Sequence, residues 1–283
     1  MTIRDETETD VIDFRMRVPR DDEWPAFMDR YDDLMNLESK MDYGIKAIIA
    51  EMERSGVDKA VLHAEFEQGE YRELNSQVAR FVDEYPNRFV GIASVDPRDG
   101  MAAVREIDRC VNDLELSGLN LQPFVYELPP TDSKYYPLYA KCVEYDIPVC
   151  LHTGINYSAR SFEVGRPLYH ERVLCDFPEL SLVALHAGWP WVPEASAIAR
   201  KHPNYYLELG GLAPEYVTIE NGWAPLPSYI DTLLQDQILF ATDFPVVSQT
   251  DVIAQLEAFD ISEETKANVL AKNAADLLDL SID

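Results

Sequence analysis

Basic residues are scarce in this 283-residue chain: 24 lysines and arginines stand against 51 acids, a formal net charge of −27 at pH 7. Only eight of the basic residues are lysines. Nucleic acids and anionic membranes are bound through cationic footprints, so this balance excludes both as expected partners. An acidic, lysine-poor surface keeps a protein soluble, in salt-adapted proteins as in ordinary acidic enzymes. Cysteine is rare as well. Cys110, Cys142, Cys150 and Cys175 show neither CxxC nor another paired spacing, which excludes a zinc knot or dithiol centre and leaves buried, reduced thiols as the reading. No apolar run approaches the ~20 residues that cross a bilayer. The amino terminus, MTIRDETETD, is acidic where a signal peptide is basic and then apolar, so a cytoplasmic protein is expected. Low-complexity stretches and linkers are missing, and a single domain over residues 1–283 is expected, its core filled from the 47% hydrophobic residues.

What the chain does contain is a regular alternation. Strand-like runs at 11–19, 59–65, 89–95, 118–124, 148–154, 182–188, 205–210 and 238–245 alternate with helical patterns near 42–55, 70–85, 100–115, 134–146, 168–177, 193–202 and 226–235. A loop rich in proline and aspartate occupies 18–33, and helices near 249–258 and 262–279 end the chain. Eight strands, each followed by a helix, predict an α/β fold: a parallel (β/α)8 TIM barrel closed by the helices at about 249–279.

Three of these strands end on a ligand-type residue beside glycine or proline: PVCLHTG (148–154), LVALHAG (182–188) and ILFATDFP (238–245). Barrel active sites sit at the C-terminal ends of strands, so His152, His186 and Asp243 read as chemistry. Side chains two apart along a strand share a face. With those three pointing inward, strand one adds Asp13, Arg15 and Arg17, strand two His63 and Glu65, and strand four Asn120 and Gln122. Cys150 lies below His152, and strand seven adds Tyr206 and Glu208. So much polarity inside a barrel is costly unless it serves a site.

The LHTG, HAG and ATDFP runs, in this order and with NVLAKNAADLL (268–278) at the end, resemble the amidohydrolase-related family, in the branch of aminocarboxymuconate-semialdehyde decarboxylase-like enzymes and pyrone-dicarboxylate lactonases. The resemblance runs from Ile12-Asp13 to Leu278. It implies a (β/α)8 barrel with a mononuclear site, often zinc, and hydrolysis or decarboxylation of small carboxylated rings. His152 and His186 match the family's later histidines and Asp243 its strand-eight aspartate. The first strand departs from the pattern: VIDFRMRVP puts Arg15 and Arg17 where the family has His-x-His. A guanidinium has no lone pair to offer a metal and repels it.

No metal is therefore the expectation, with a single divalent ion, zinc or manganese on His152, His186 and Asp243, as the alternative. The expected function is hydrolysis of a small cyclic carboxylate such as a lactone: Asp243 activates water, His152 or His186 donates to the oxyanion, and Arg15 and Arg17 hold the carboxylate. The alternatives are a metal-dependent decarboxylase and a non-catalytic ligand-binding protein. His63, Glu65, Gln122, Tyr157, Arg160, Arg166 and Trp189 complete the candidate substrate-binding set, with His170 and Trp191 nearby. The plainer readings are a core histidine at 63, a buried Arg15–Arg17–acid network without ligand, and an ordinary surface loop at 157–170. The partner is a small anionic organic substrate, and the family suggests a homodimer.

Overall fold

The computed structural model describes residues 10–19, 44–65, 70–212 and 214–282, and in them the alternation of strands and helices is realised in full. The order is β1 (Ile12–Arg17), α1 (Ile45–Ser55), β2 (Lys59–His63), α2 (Tyr71–Glu84), β3 (Phe89–Ser94), α3 (Met101–Asn112), β4 (Leu119–Leu121) and the single-turn α4 (Pro123–Tyr126). There follow α5 (Tyr136–Glu144), β5 (Val149–His152), α6 (Leu168–Asp176), β6 (Leu182–Leu185), α7 (Val192–Lys201), β7 (Tyr205–Glu208), α8 (Leu226–Ile230), β8 (Ile238–Leu239), α9 (Gln249–Glu257), α10 (Glu263–Ala267) and α11 (Asn273–Leu278). The strands lie parallel in the order β1 to β8. Backbone hydrogen bonds from Phe14 N to Phe240 O (2.9 Å) and from Arg17 N to Phe244 O (3.1 Å) join the last strand's run to the first and bring the sheet round into a barrel.

The helices are amphipathic in the way their sequences dictate. In α3, Ala103, Val104, Ile107 and Cys110 are buried, one stripe at spacings of three and four. Two apolar layers result. A large one lies between sheet and helices; a smaller one fills the barrel with Ile12, Phe14, Val61, Ile92, Cys150, Val183, Leu185 and Leu239. Ala274, Ala275 and Leu278 of α11 join the inner layer, and Asn273 donates to Ile238 O at the start of β8 (2.8 Å). The last helix therefore seals the end of the barrel where strands begin, leaving the other end for polar residues.

Several boundaries differ from the sequence expectation. β4 stops at Leu121 because Pro123 starts a helical turn, and β8 keeps only Ile238–Leu239 before ATDFP turns away. The helical pattern at 262–279 is interrupted by one wide turn, Asn268–Lys272. Most of the loop expected at 18–33 lies outside the described residues. Among the described residues, no helix is long and apolar enough to cross a membrane.

Candidate active site

The polar mouth begins with an irregularity in β1. Its register against β2 shifts between Asp13 and Met16, a β-bulge. Asp13 and Met16 both reach Gln249 on α9, at 2.8 and 3.2 Å, whereas Phe14 belongs to the inner layer. Arg15 and Arg17 then point into the barrel mouth. The expectation that Asp13 shares their face is corrected: strict alternation places 13, 15 and 17 together, and one bulge separates 13 from the other two. Asp13 instead anchors the bulge, accepting from Thr242 N (3.0 Å), Thr242 Oγ1 (2.5 Å) and Arg15 N (3.3 Å).

At the mouth, two guanidiniums and two carboxylates interlock. Arg15 Nε lies 3.0 Å from Glu65 Oε1, which also accepts from Arg15 Nη2, and Arg15 Nη1 lies 3.2 Å from Asp243 Oδ2. Arg17 bridges the same acids, with Nη1 at 2.7 Å from Glu65 Oε2 and Nη2 at 3.2 Å from Asp243 Oδ2. All four side chains are buried. Asp243 Oδ1 takes no hydrogen bond from any described residue.

The imidazoles sit beside this cluster. His186 Nδ1 is 2.6 Å from Gly210 O, so it donates there and leaves Nε2 to accept from Arg15 Nη1 at 3.1 Å. Glu208, one strand over, accepts from His186 N (2.8 Å) and Gly210 N (2.9 Å) and locks both partners of that bond. His152 packs edge-on against His186, with ring centroids 4.8 Å apart, and against Phe124. His186 and Asp243 both adopt left-handed backbone (φ 62° and 57°), a strained conformation for non-glycine residues that recurs at functional sites.

Burial, reinforced by Arg15, holds both His152 and His186 well below the usual imidazole range. Both are neutral at pH 7. Glu65 and Asp243 part company: burial pushes both up, but Glu65 receives guanidinium contacts on both oxygens and is held at about 2. Asp243 receives them on Oδ2 alone, and its burial outweighs Arg15 and Arg17, so its carboxyl is raised. Asp243 thus holds a proton more readily than Glu65, its partner in the cluster.

His152, Ile155, Tyr157, His186, Trp189, Gly211, Leu212, Asp243 and Val246 enclose a cleft of about 20 Å³, room for one water. The structure brings together His152, His186, Asp243, Tyr157 and Trp189 on this cleft, with Arg15 and Arg17 bonded directly to its lining and Glu65 behind them. It does not bring the remaining candidates there. His63 is a core group, its Nε2 2.9 Å from Phe14 O and its pKa lowered to about 3 by burial. Gln122, buried at the N-cap of α4, is not part of the cleft lining, Arg160 is exposed, and Arg166 pairs with Glu194 on α7. His170 meets Tyr205 OH at 2.9 Å, and Trp191 meets Phe162. Sequence reasoning missed Ile155, Gly211, Leu212 and Val246, apolar loop positions that only the fold brings to the mouth. Gly210 and Gly211, following Glu208, were the available signal.

A parallel barrel with carboxylates, imidazoles and guanidiniums gathered at the C-terminal ends of its strands has them where barrel enzymes carry their active sites. The chain belongs to the amidohydrolase family, whose model matches residues 12–280. It is 32% identical over 133 residues, 40% of this chain and 39% of the relative, to 2-keto-4-carboxy-3-hexenedioate hydratase from Sphingobium. It is 24% identical to gamma-resorcylate decarboxylase from Rhodococcus jostii, covering 91% of both proteins. Among solved structures, an uncharacterized TIM-barrel protein from Bordetella bronchiseptica superposes with a TM-score of 0.80 at 27% identity, covering 95% of this chain and 98% of that one. A 5-carboxyvanillate decarboxylase from Novosphingobium aromaticivorans, complexed with manganese, shares the fold at a TM-score of 0.71 and 17% identity, covering 97% of each.

The manganese is that protein's, and the donors of this chain do not fit such an ion. Both Glu65 oxygens, Asp243 Oδ2 and His186 Nε2 are engaged by guanidiniums, and His186 Nδ1 by Gly210. His152 and Asp243 Oδ1 remain, fewer than the three protein ligands of an open catalytic site. Among the described residues, three donor atoms within 4.8 Å of one another occur at Glu171, Cys175 and His202 on the helical exterior, not at the mouth. At 4 Å and an effective dielectric near 20, each buried guanidinium opposes a divalent ion by ~8 kcal/mol, twice the ~4 kcal/mol of a unit pair.

Proposed function

We propose that this protein is a carbon–carbon lyase that decarboxylates a small, unsaturated or aromatic carboxylic acid. The observation that carries the reading is Asp243: a buried carboxyl with a raised pKa and an uncommitted Oδ1, facing a cleft walled by Ile155, Trp189, Leu212 and Val246. Decarboxylation exchanges CO2 for a proton, so it needs an acid positioned against the carbon. The substrate C–C bond breaks, its electron pair stays on the carbon, CO2 leaves, and that carbon takes the Asp243 proton. Asp243 is left as a carboxylate, stabilised by Arg15 and Arg17. The apolar walls also favour conversion of a charged carboxylate into neutral CO2.

The gamma-resorcylate and 5-carboxyvanillate decarboxylases among the relatives support this reaction, as does their coverage of nearly the whole chain. Hydrolysis of a cyclic carboxylate, the first expectation, has less behind it, since the relatives above that carry an activity in their names are decarboxylases and a hydratase. The test is incubation of purified protein with 2,6-dihydroxybenzoate and 5-carboxyvanillate, with and without manganese, following CO2 and product by chromatography. Decarboxylation of either acid, lost in Asp243→Asn, is the expected result. Ring opening of a carboxylated lactone without any CO2 release would return the hydrolase.

A further inference from the structure

We propose that Arg15 and Arg17 take the place of a divalent ion as the anion anchor of this site, and that they hold a negative group the substrate keeps, not the carboxylate it loses. The inference rests on the decarboxylase reading for its second half only.

Three observations carry it. The guanidiniums are fixed: Arg15 is 1% exposed, and both arginines are tied to the same two acids, Glu65 and Asp243. A buried arginine so held cannot swing away to admit a metal, as an exposed lysine would. The four charges also sum to zero, so the cluster presents no net negative charge to an incoming anion in a protein that otherwise repels one. Finally, Arg15 Nη1 stands 3.2 Å from Asp243 Oδ2 and 3.1 Å from His186 Nε2, and Arg17 Nη2 3.2 Å from Asp243 Oδ2, so both guanidiniums touch residues that line the cleft.

The identity of the anchored group follows from where charge goes. A leaving carboxylate starts as an anion and ends as neutral CO2. A cation gripping it stabilises the ground state more than the transition state and slows the reaction. A cation gripping a second carboxylate, or an oxygen onto which the freed electron pair spreads, loses nothing or gains as charge develops. The substrate class is therefore an acid with two anionic groups, one lost and one retained, the retained one met by the paired forks of Arg15 and Arg17.

The experiment measures metal content by plasma mass spectrometry and binding of two unreactive probes, benzene-1,3-dicarboxylate and benzoate, by calorimetry on chelator-dialysed protein. The expected result is a metal-free wild type that binds the dicarboxylate at least tenfold more tightly than benzoate. That margin disappears in Arg17→Gln, partly returns in Arg17→Lys, and needs added manganese in Arg15→His/Arg17→His; circular dichroism establishes that each variant is folded. About one manganese or zinc per wild-type chain, or dicarboxylate binding only after metal is added, overturns the proposal. Metal-free dicarboxylate binding without decarboxylation of any acid sinks the reaction assigned above and leaves the anchor standing. Decarboxylation that requires manganese does the reverse.

Discussion

Asp243 is the residue on which chemistry and titration meet. Because its carboxyl is raised and works as an acid, activity is full while it is protonated and falls as pH rises through its pKa. A pH profile of kcat/KM on the reacting acid should show that alkaline loss, with no matching loss from His152 or His186, which stay neutral across the same range. Asp243→Asn removes the proton but keeps the shape. Its turnover should fall about 10²- to 10⁴-fold while calorimetric binding of a dicarboxylate is retained, whereas a non-catalytic binding protein would show no loss because it had no turnover. Glu65, with two guanidiniums on it and a pKa of about 2, is a counter-ion throughout.

At the scale of elements, the bulge of β1 aims the arginines. Asp13 holds that bulge with four hydrogen bonds, to Thr242 N and Oγ1, Gln249 Nε2 and Arg15 N, without touching the cleft. Asp13→Ala leaves those buried donors without partners, which should destabilise the fold by about 2–4 kcal/mol in urea titrations. Dicarboxylate binding should weaken with it, since Arg15 and Arg17 lose their aim. The loop after β5 packs against the loop after β6: Ile155 N donates to Trp189 O at 2.9 Å, and a Cβ on Gly154 would stand 2.0 Å from that oxygen. With φ at +82° as well, Gly154→Ala should cost about 2 kcal/mol or more and displace Trp189 from the cleft. Since the cleft admits about one water, a larger ligand needs the lining to move, and Tyr157 and Trp189, its half-buried aromatic members, are the side chains expected to do so. Trp189→Ala should therefore speed association of benzene-1,3-dicarboxylate in stopped-flow measurements; an unchanged rate would place the barrier elsewhere.

For the whole molecule, charge decides how stability responds to solution. Four buried imidazoles, His63 and His170 at about 3 and His152 and His186 also lowered, refuse protons that the unfolded chain accepts below 6.5. Each lowers stability by ~1.4 kcal/mol per pH unit below 6.5 until its folded pKa is reached. Three carboxyls act the other way: Asp13 at about 6, Glu208 at about 7 and the raised Asp243 hold protons that the unfolded chain releases above its values of 3.8 and 4.5. Their folded-state protonation offsets the imidazoles between pH 6.5 and 4.5. Below about 4.5 the unfolded acids are protonated too, the offset ends, and Glu65 joins the loss down to about 2. Denaturant midpoints should fall gently from pH 6.5 to 4.5 and steeply below; a uniform slope would contradict these assignments. With a net charge of −27, self-repulsion also opposes the compact state, so the thermal midpoint should rise between 50 mM and 1 M sodium chloride.

The barrel was legible in the sequence because alternation of apolar runs and amphipathic stripes is a local property, repeated eight times with chemistry at the strand tops. His152, His186 and Asp243 were legible for the same reason, each ending an apolar run beside glycine or proline. His63 obeys the same pattern but is not on the cleft, because its hydrogen bond to Phe14 O is made to the neighbouring strand and has no local signature. Arg166 and Arg160 stand off the cleft for a related reason: a loop's path depends on what it packs against, and Glu194 on a neighbouring helix pairs with Arg166. The sequence by itself determined that two guanidiniums stand near the mouth of a parallel barrel, since residue type and strand position are written in the chain. Only the tertiary structure decided what they do there. A single bulge turned Arg15 and Arg17 inward and Asp13 outward, and residues 50 and 226 positions away closed around them as Glu65 and Asp243. Such contacts follow from register and closure across the sheet, which no run of neighbouring residues encodes.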